Sequence, residues 1–312
     1  MNCMMTEKHK SIIAVLLGNF FFGTSVIAVK HITPIFIAPL ALTSIRIAVC
    51  ALLFWVIYFF RPVKTSISGK DYLRLLFCAI MGITFNQTFS IRGMSLTSPI
   101  HASLLVLTTP IVVSILAAIF LKERLTNLKI LGLSLGITGG ALLILSRDSS
   151  NTLAKQETIG DLFIILGAFS YASYLVTIKP LILKYSAMHI LQWVFLFGGM
   201  ISVPLGWNSF RLVQWSEFDA LSWFCLVYVV LGATFLAYLL MNYSVSKLGA
   251  GITASFIYLQ PFFATVASMI LLHEQLTFSK MLSATIIMVG VFVTNYKTKS
   301  SVIDKHKPIL LL

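Results

Sequence analysis

The side chains that could do chemistry in this chain are polar groups set singly into long apolar runs. They are Asn19, Arg46, Asn86 with Gln87 and Ser90, His101, Tyr174, Tyr258 and Gln260. An amide or hydroxyl surrounded by hydrocarbon must find a partner, and an interhelical hydrogen bond of this kind contributes roughly 0.6–2 kcal/mol. Asn86 and Ser90 stand at helical i, i+4 spacing and share a face. Tyr174, Tyr258 and Gln260 lie too deep in their runs to belong to an interfacial aromatic belt. Amides and hydroxyls can satisfy both an ammonium and a carboxylate without a fixed counter-charge. The candidate binding residues are therefore Asn19, Asn86, Ser90, His101, Tyr174, Tyr258 and Gln260. They suit the non-covalent holding of a small polar or zwitterionic solute with an apolar part.

Covalent chemistry finds less support. It would need a nucleophile beside a base, paired carboxylates or a metal cluster within mutual reach. None of the ten acidic residues falls near the middle of an apolar run, and the histidines are not clustered. Cys3, Cys50, Cys78 and Cys225 show no paired spacing, so neither a disulfide, a metal site nor a cofactor is expected. An integral-membrane enzyme is accordingly the weaker reading. His101 is the one histidine placed to titrate inside a span, which makes it a candidate for proton coupling. Arg46 must snorkel, make a structural contact or face a wet cavity, because a cation at a helix centre costs ~2.5 kcal/mol or more.

The elements that must position these groups are membrane helices. With 58% hydrophobic residues, 11% charged residues and a mean hydropathy of +0.94, the chain cannot present a soluble surface. A helix crossing ~30 Å of hydrocarbon needs about 20 apolar residues. Ten stretches qualify, near 11–30, 37–60, 72–92, 98–121, 128–146, 160–179, 188–207, 221–244, 249–272 and 279–296. The net charge of +13 does not form a nucleic-acid patch, since the basic residues sit at span ends. With the N-terminus inside, sixteen lysines and arginines fall on the cytoplasmic side and six outside, which places both termini in the cytoplasm. The basic opening before the first run could suggest a signal peptide, but that run is long for one and has an internal counterpart. The expected partners are a small-molecule substrate and the lipid bilayer, with no nucleic acid. The glycine-containing fifth and tenth runs look like packing or dimer helices, so the chain is expected to be a monomer or homodimer.

The runs repeat. A shift of 151 residues superposes Pro110 on Pro261, Glu123 on Glu274, Thr126 on Thr277, Lys129 on Lys280 and Gly139 on Gly290, with nine identities in the thirty positions from Pro110 to Gly139. A shift of 149 aligns Gly18 with Gly167, Phe20 with Phe169 and Lys30 with Lys179. The halves are residues 1–150 and 151–312. Each holds five spans, an odd number, so the second enters the membrane from the opposite side. The expected fold is thus an all-α integral membrane protein of ten transmembrane helices in two inverted five-helix repeats, an arrangement that places solute sites between the halves. Pro110 and Pro261 are read as mid-helix hinges, each freeing a carbonyl. Glu123 and Glu274 close the two bent helices and are candidate gate contacts or ordinary ion pairs. Arg46 stands outside this symmetry, because Phe195 occupies the matching place.

The paired halves, the Gly18–Lys30 and Gly167–Lys179 segments, Arg46, and the endings KERLT and HEQLT resemble the EamA family of the drug/metabolite transporter superfamily over nearly the whole chain. The resemblance implies a bacterial inner-membrane carrier with a central cavity, typically exporting amino acids or similar metabolites. A nucleotide-sugar or organic-phosphate antiporter is the alternative within transporters, provided that Lys30, Lys179 and Arg92 face inward.

Overall fold

The structure, a computed structural model, describes residues 2–60, 67–120, 126–145, 152–182, 184–248 and 256–295. All the regular structure among them is helical. In chain order the helices are α1 (Asn2–Ile32), α2 (Pro39–Phe60), α3 (Gly69–Ala79, a π-helical segment Ile80–Phe85, then Asn86–Leu96) and α4 (Pro99–Val106 and Thr109–Phe120). They continue with α5 (Asn127–Leu145), α6 (Thr152–Ile182), α7 (Ala187–Arg211), α8 (Ala220–Val227, a π-helical segment Tyr228–Leu236, then Ala237–Leu248), α9 (Gln260–Leu271, entered through a 3-10 turn Phe256–Leu259) and α10 (Phe278–Asn295). Seven of these are long and apolar enough to cross a membrane: α1, α2, α3, α4, α6, α7 and α8. Three further apolar stretches, Ile130–Leu142, Gln260–Leu271 and Phe278–Gly290, are shorter. The chain is a multi-pass membrane protein.

Burial follows the solvent that this fold expects. Large apolar side chains such as Leu52, Phe59, Ile119, Phe169 and Phe292 face outward. Polar ones such as Asn19, Thr97, Asp161 and Gln192 are buried. In hydrocarbon every polar backbone group must be satisfied by the protein itself, so polar side chains turn inward or bond their own helix. Thr24, Thr43, Ser134 and Thr285 do the latter, each donating to the carbonyl four residues back. Helix starts are capped in the usual way: Ser98 accepts from His101 N at 3.3 Å, Ser186 from His189 N at 3.3 Å, and Asp219 from Ser222 N at 2.8 Å.

The two prolines do not sit in the middle of continuous helices. In α4 the first half-helix ends at Val106, Leu107 and Thr108 form a tighter turn, and a new helix starts at Thr109, so Pro110 lies in its first turn. The turn is made by Leu107 N and Thr108 N bonding to the carbonyls of Leu104 and Leu105 at 3.1 and 3.0 Å, with Thr108 Oγ1 donating to Leu105 O at 2.7 Å. Pro261 likewise occupies the first turn of α9 after the 3-10 turn. A first-turn proline lacks an N–H that would have had no helical partner anyway. The expected hinge kink is therefore a helix break with a restart, and the exposed carbonyls are taken up locally.

Contact between helices is close where glycine allows it. The dominant pairings are α5 with α10, α2 with α7, α3 with α6, and α1 with α8, while α9 lies against α1 and the first half of α4. At the α5–α10 crossing a Cβ on Gly290 would come within 2.5 Å of Gly136 N and 2.7 Å of Gly132 O, and one on Gly139 within 2.9 Å of Ile287 N. Backbone cannot move aside as a flexible side chain can. We expect Gly290→Val to destabilise the fold by about 1–3 kcal/mol, measured as a lower unfolding temperature in detergent. Gly69→Ala, where a Cβ meets nothing within 4 Å, should leave that temperature unchanged.

Candidate functional site

A cavity of about 150 Å³ lies inside the bundle, walled by α1, α2, α3, α4, α6, α8 and the start of α9. Its polar lining is Ser25, Arg46, Asn86, Gln87, Ser90, Ser103, Thr109, Tyr171, Tyr238 and Gln260, and its apolar lining includes Phe22, Val26, Met94, Val106, Ile164 and Met241. The two half-helices of α4 meet beside it, which brings both Ser103 and Thr109 to its wall. Gly23 lets α1 approach the start of α9 closely: a Cβ there would sit 2.6 Å from the Gln260 carbonyl. The π-helical segments of α3 and α8 end at Phe85 and Leu236, immediately before the cavity residues Asn86, Gln87 and Tyr238. Such segments add a residue to a turn and rotate everything that follows.

Of the residues read from the sequence, Asn86, Ser90 and Gln260 reach the cavity. Asn86 Nδ2 donates to Gly167 O at 3.0 Å, which fixes its orientation. Gln260 Nε2 donates to Asn19 Oδ1 at 2.8 Å, and Asn19 Nδ2 in turn donates to Val15 O at 2.7 Å. Asn19, fully buried, therefore positions Gln260 and does not line the cavity. Tyr174 is likewise displaced from the expected place. It belongs to a buried cluster with Ile83, Ile178 and Phe195, its ring filling the space that a Cβ on Gly82 would need. Tyr171, stacked on it at 5.6 Å between centroids, takes the place at the cavity. The side chain of Tyr258, and Glu123 altogether, lie outside the described residues.

His101 also sits away from the cavity. Its Nδ1 lies 3.4 Å from Asp161 Oδ2, and both side chains are buried, at 4% and 0% exposure. Thr97 Oγ1 donates to Asp161 Oδ1, and Lys30 Nζ donates to the carbonyls of Ser95 and Thr97 at 3.1 and 3.0 Å. Nearby, Glu274 Oε2 accepts from Ile100 N at 3.4 Å, at the start of α4, and its Oε1 accepts from Lys280 Nζ at 2.9 Å. His273, with φ at 52°, ends α9 in a left-handed turn that carries Glu274 back toward α4. One end of the bundle is thus tied by charged and polar groups from α1, α3, α4, α6 and the chain after α9. At the other end of α3, Asp71 accepts from Lys184 Nζ at 3.1 Å and Tyr185 Oη at 2.9 Å. Asp161 reads in the sequence as a span-end residue, yet it is a fully buried acid.

Arg46, Gln87, Tyr171 and Tyr238 are cavity residues that the sequence reading did not select as binding groups. Arg46 carried a signal, as a cation inside an apolar run; the tyrosines carried none that separates them from packing aromatics. Among the described residues no three His, Cys, Asp or Glu side chains converge as a metal site would require.

Membrane-length helices surrounding a small internal cavity of mixed polarity define a multi-pass membrane protein. The chain belongs to the EamA-like transporter family, whose model matches residues 9–145 and 158–296. Similar curated proteins include an uncharacterized transporter of Archaeoglobus fulgidus, 26% identical and covering 91% of this chain and 98% of that protein. The uncharacterized transporter YetK of Bacillus subtilis is 27% identical over 75% of this chain and 71% of its own length. WAT1-related protein At3g30340 of Arabidopsis thaliana is 24% identical over 86% of this chain and 82% of its own. One solved crystal structure of a protein shares the fold with a TM-score of 0.61 at 15% identity, covering 93% of this chain and 96% of that chain. These names point to transport and not to catalysis.

The placement of Tyr174 gives a prediction. Tyr174→Ala should cost about 3–5 kcal/mol, the range for emptying a buried aromatic site, and should lower folded yield. Tyr174→Phe, which keeps the ring against Gly82, should retain both the unfolding temperature and solute handling. A selective loss of solute handling in the phenylalanine variant would place the hydroxyl at the solute after all.

Proposed function

We propose that the chain is a secondary transporter that exports small metabolites, amino acids or related polar and zwitterionic solutes, by alternating access or facilitated diffusion. In this reading it has ten transmembrane helices in two inverted five-helix repeats, residues 1–150 and 151–312. It resides in a bacterial inner membrane with both termini cytoplasmic. The observation that carries the reading is the cavity, whose amides and hydroxyls come from both halves of the chain and whose wall includes the break in α4. Support for the repeat comes from the helix pairing. Exchanging α1 with α6, α2 with α7, α3 with α8, α4 with α9 and α5 with α10 leaves the set of principal contacts unchanged. The π-helical segments of α3 and α8 and the restarts at Pro110 and Pro261 obey the same exchange. The family model also matches each half separately. Broken helices at mid-membrane, paired across such an axis, are the usual walls of a transported-solute site.

The phosphate-antiporter alternative gains nothing from the cavity. Lys30 is committed to backbone carbonyls at one end of the bundle, Arg92 is exposed, and Arg46 is the one basic side chain among the described lining residues. A phosphate or nucleotide dianion calls for several such groups.

Two experiments test the proposal. Purified protein in proteoliposomes should carry at least one solute from a metabolite panel. Asn86→Ala and Gln260→Ala should each lower that flux about five- to tenfold, the equivalent of one lost hydrogen bond of ~1–1.5 kcal/mol. Normal flux in both variants, or none for any solute, would sink it. Separately, single cysteines beside Glu123 and beside Glu274 should react with an impermeant thiol reagent from opposite faces of the membrane. Reaction from the same face would overturn the inverted repeat.

A further inference from the structure

The cavity carries a charge that nothing in it answers. Arg46 is only 8% exposed, yet its guanidinium lines the cavity, and among the described residues no lining side chain is acidic. Its hydrogen-bond partner among the described residues is neutral: Nε donates to Thr234 Oγ1 at 2.7 Å. Thr234 can accept because its own proton goes to Val229 O, five residues back in the π-helical segment, at 2.8 Å. The guanidinium of this cavity residue is therefore anchored at Nε, and among the described residues no hydrogen bond holds its two terminal nitrogens. A buried cation without a counter-ion is costly.

A second group points the same way. Gln87 is 4% exposed and lines the cavity within reach of the Tyr238 hydroxyl, which can answer at most one of its two amide atoms. An amide with a group to spare and an unanswered guanidinium on the lining of one cavity supply donors for two oxygens. A planar carboxylate fits a guanidinium fork in bidentate fashion. The apolar lining supplies Phe22, Val26, Val106 and Ile164, and a cavity of about 150 Å³ admits a group of roughly benzene size.

We propose that Arg46, with Gln87 and Tyr238, forms the subsite for a carboxylate on the transported solute, so that the carrier selects small carboxylates with a compact apolar remainder. The proposal rests on the transport reading and names its substrate class. An ammonium on the solute is not required, because the only groups available to it are neutral oxygens such as those of Ser90, Ser103 and Asn86. The charge comes from one half alone: Phe195, the counterpart of Arg46 in α7, is fully buried against Phe54 and Tyr238.

Binding can be read without transport, as ligand-induced stabilisation of the purified protein in detergent. The probes are benzoate, 3-phenylpropanoate and phenylalanine, set against benzamide, 3-phenylpropanamide, phenylalaninamide and phenethylamine. At least one carboxylate should stabilise the protein, and its amide counterpart should bind about tenfold more weakly or not at all. Arg46→Gln should remove that preference, and Arg46→Lys should retain part of it. If Arg46→Gln does not fold, Gln87→Met, which keeps the charge and volume, should still weaken carboxylate binding several-fold. Equal stabilisation by acids and amides, no response to any of the acids, or an unchanged preference in the folded variants would overturn the subsite. Carboxylate binding without flux in proteoliposomes would leave the subsite standing and overturn the transport reading.

Discussion

The constraint on which this structure depends is that hydrocarbon offers no hydrogen-bond partner. A helix can break inside a membrane only where the protein itself takes up the freed groups, and α4 shows how that is done. Thr108 spends both its backbone N–H and its hydroxyl on the carbonyl of Leu105, and the restart at Thr109 places Pro110 where no N–H is needed. The break costs little because the sequence supplies a hydroxyl donor for the Leu105 carbonyl and, at Pro110, omits an N–H that would need an acceptor. Without it, Ser103 and Thr109 would belong to one continuous helix, and the wall would lose the turn that exposes them together.

The π-helical segments meet the same constraint differently. They keep every backbone bond but lengthen its span, which inserts a residue and turns the following helix. In α8 this allows Thr234 to reach the carbonyl of Val229 and, through that bond, to hold the Nε of Arg46. In α3 it turns Asn86 and Gln87 inward directly after Phe85. Close approach of backbones at Gly23 draws α1 onto the start of α9 at the cavity wall, while Gly290 does the same for the α5–α10 crossing away from it. Rigid positioning of Gln260 by Asn19 completes the wall from α9.

Much of this was legible in the sequence, and the rest failed for identifiable reasons. The helical class, the positions of the apolar runs and the pairing of Pro110 with Pro261 follow from composition and a fixed shift, which tertiary contacts do not disturb. Asn86, Ser90 and Gln260 could be picked because an amide or hydroxyl in an apolar run has few places to go. Tyr171 and Tyr174 could not be separated, since the choice depends on Gly82 opening a pocket for one ring from another helix. Gln87 was passed over because it stands off the helix face that Asn86 and Ser90 share, and Tyr238 because nothing in an apolar run separates a lining tyrosine from a packing one. Asp161 was missed because distance from a span end says nothing about burial: Thr97 and His101 cover it from neighbouring helices.

Symmetry and specificity have separate origins in this molecule. The features that recur between the halves, namely the helix pairings, the π-helical segments, the restarts and the tight glycines, are all matters of backbone path. The polar lining does not recur in the same way: the shift of 149 matches Arg46 with Phe195, one charged and one apolar. Position 195 departs from the shift in environment as well as in charge: Phe195 is buried in an apolar cluster against Phe54 and Tyr238 and is not among the residues that line the cavity, whereas Arg46 lines it and is held at Nε by Thr234. A cation at position 195 would be buried among apolar rings, a cost that phenylalanine avoids.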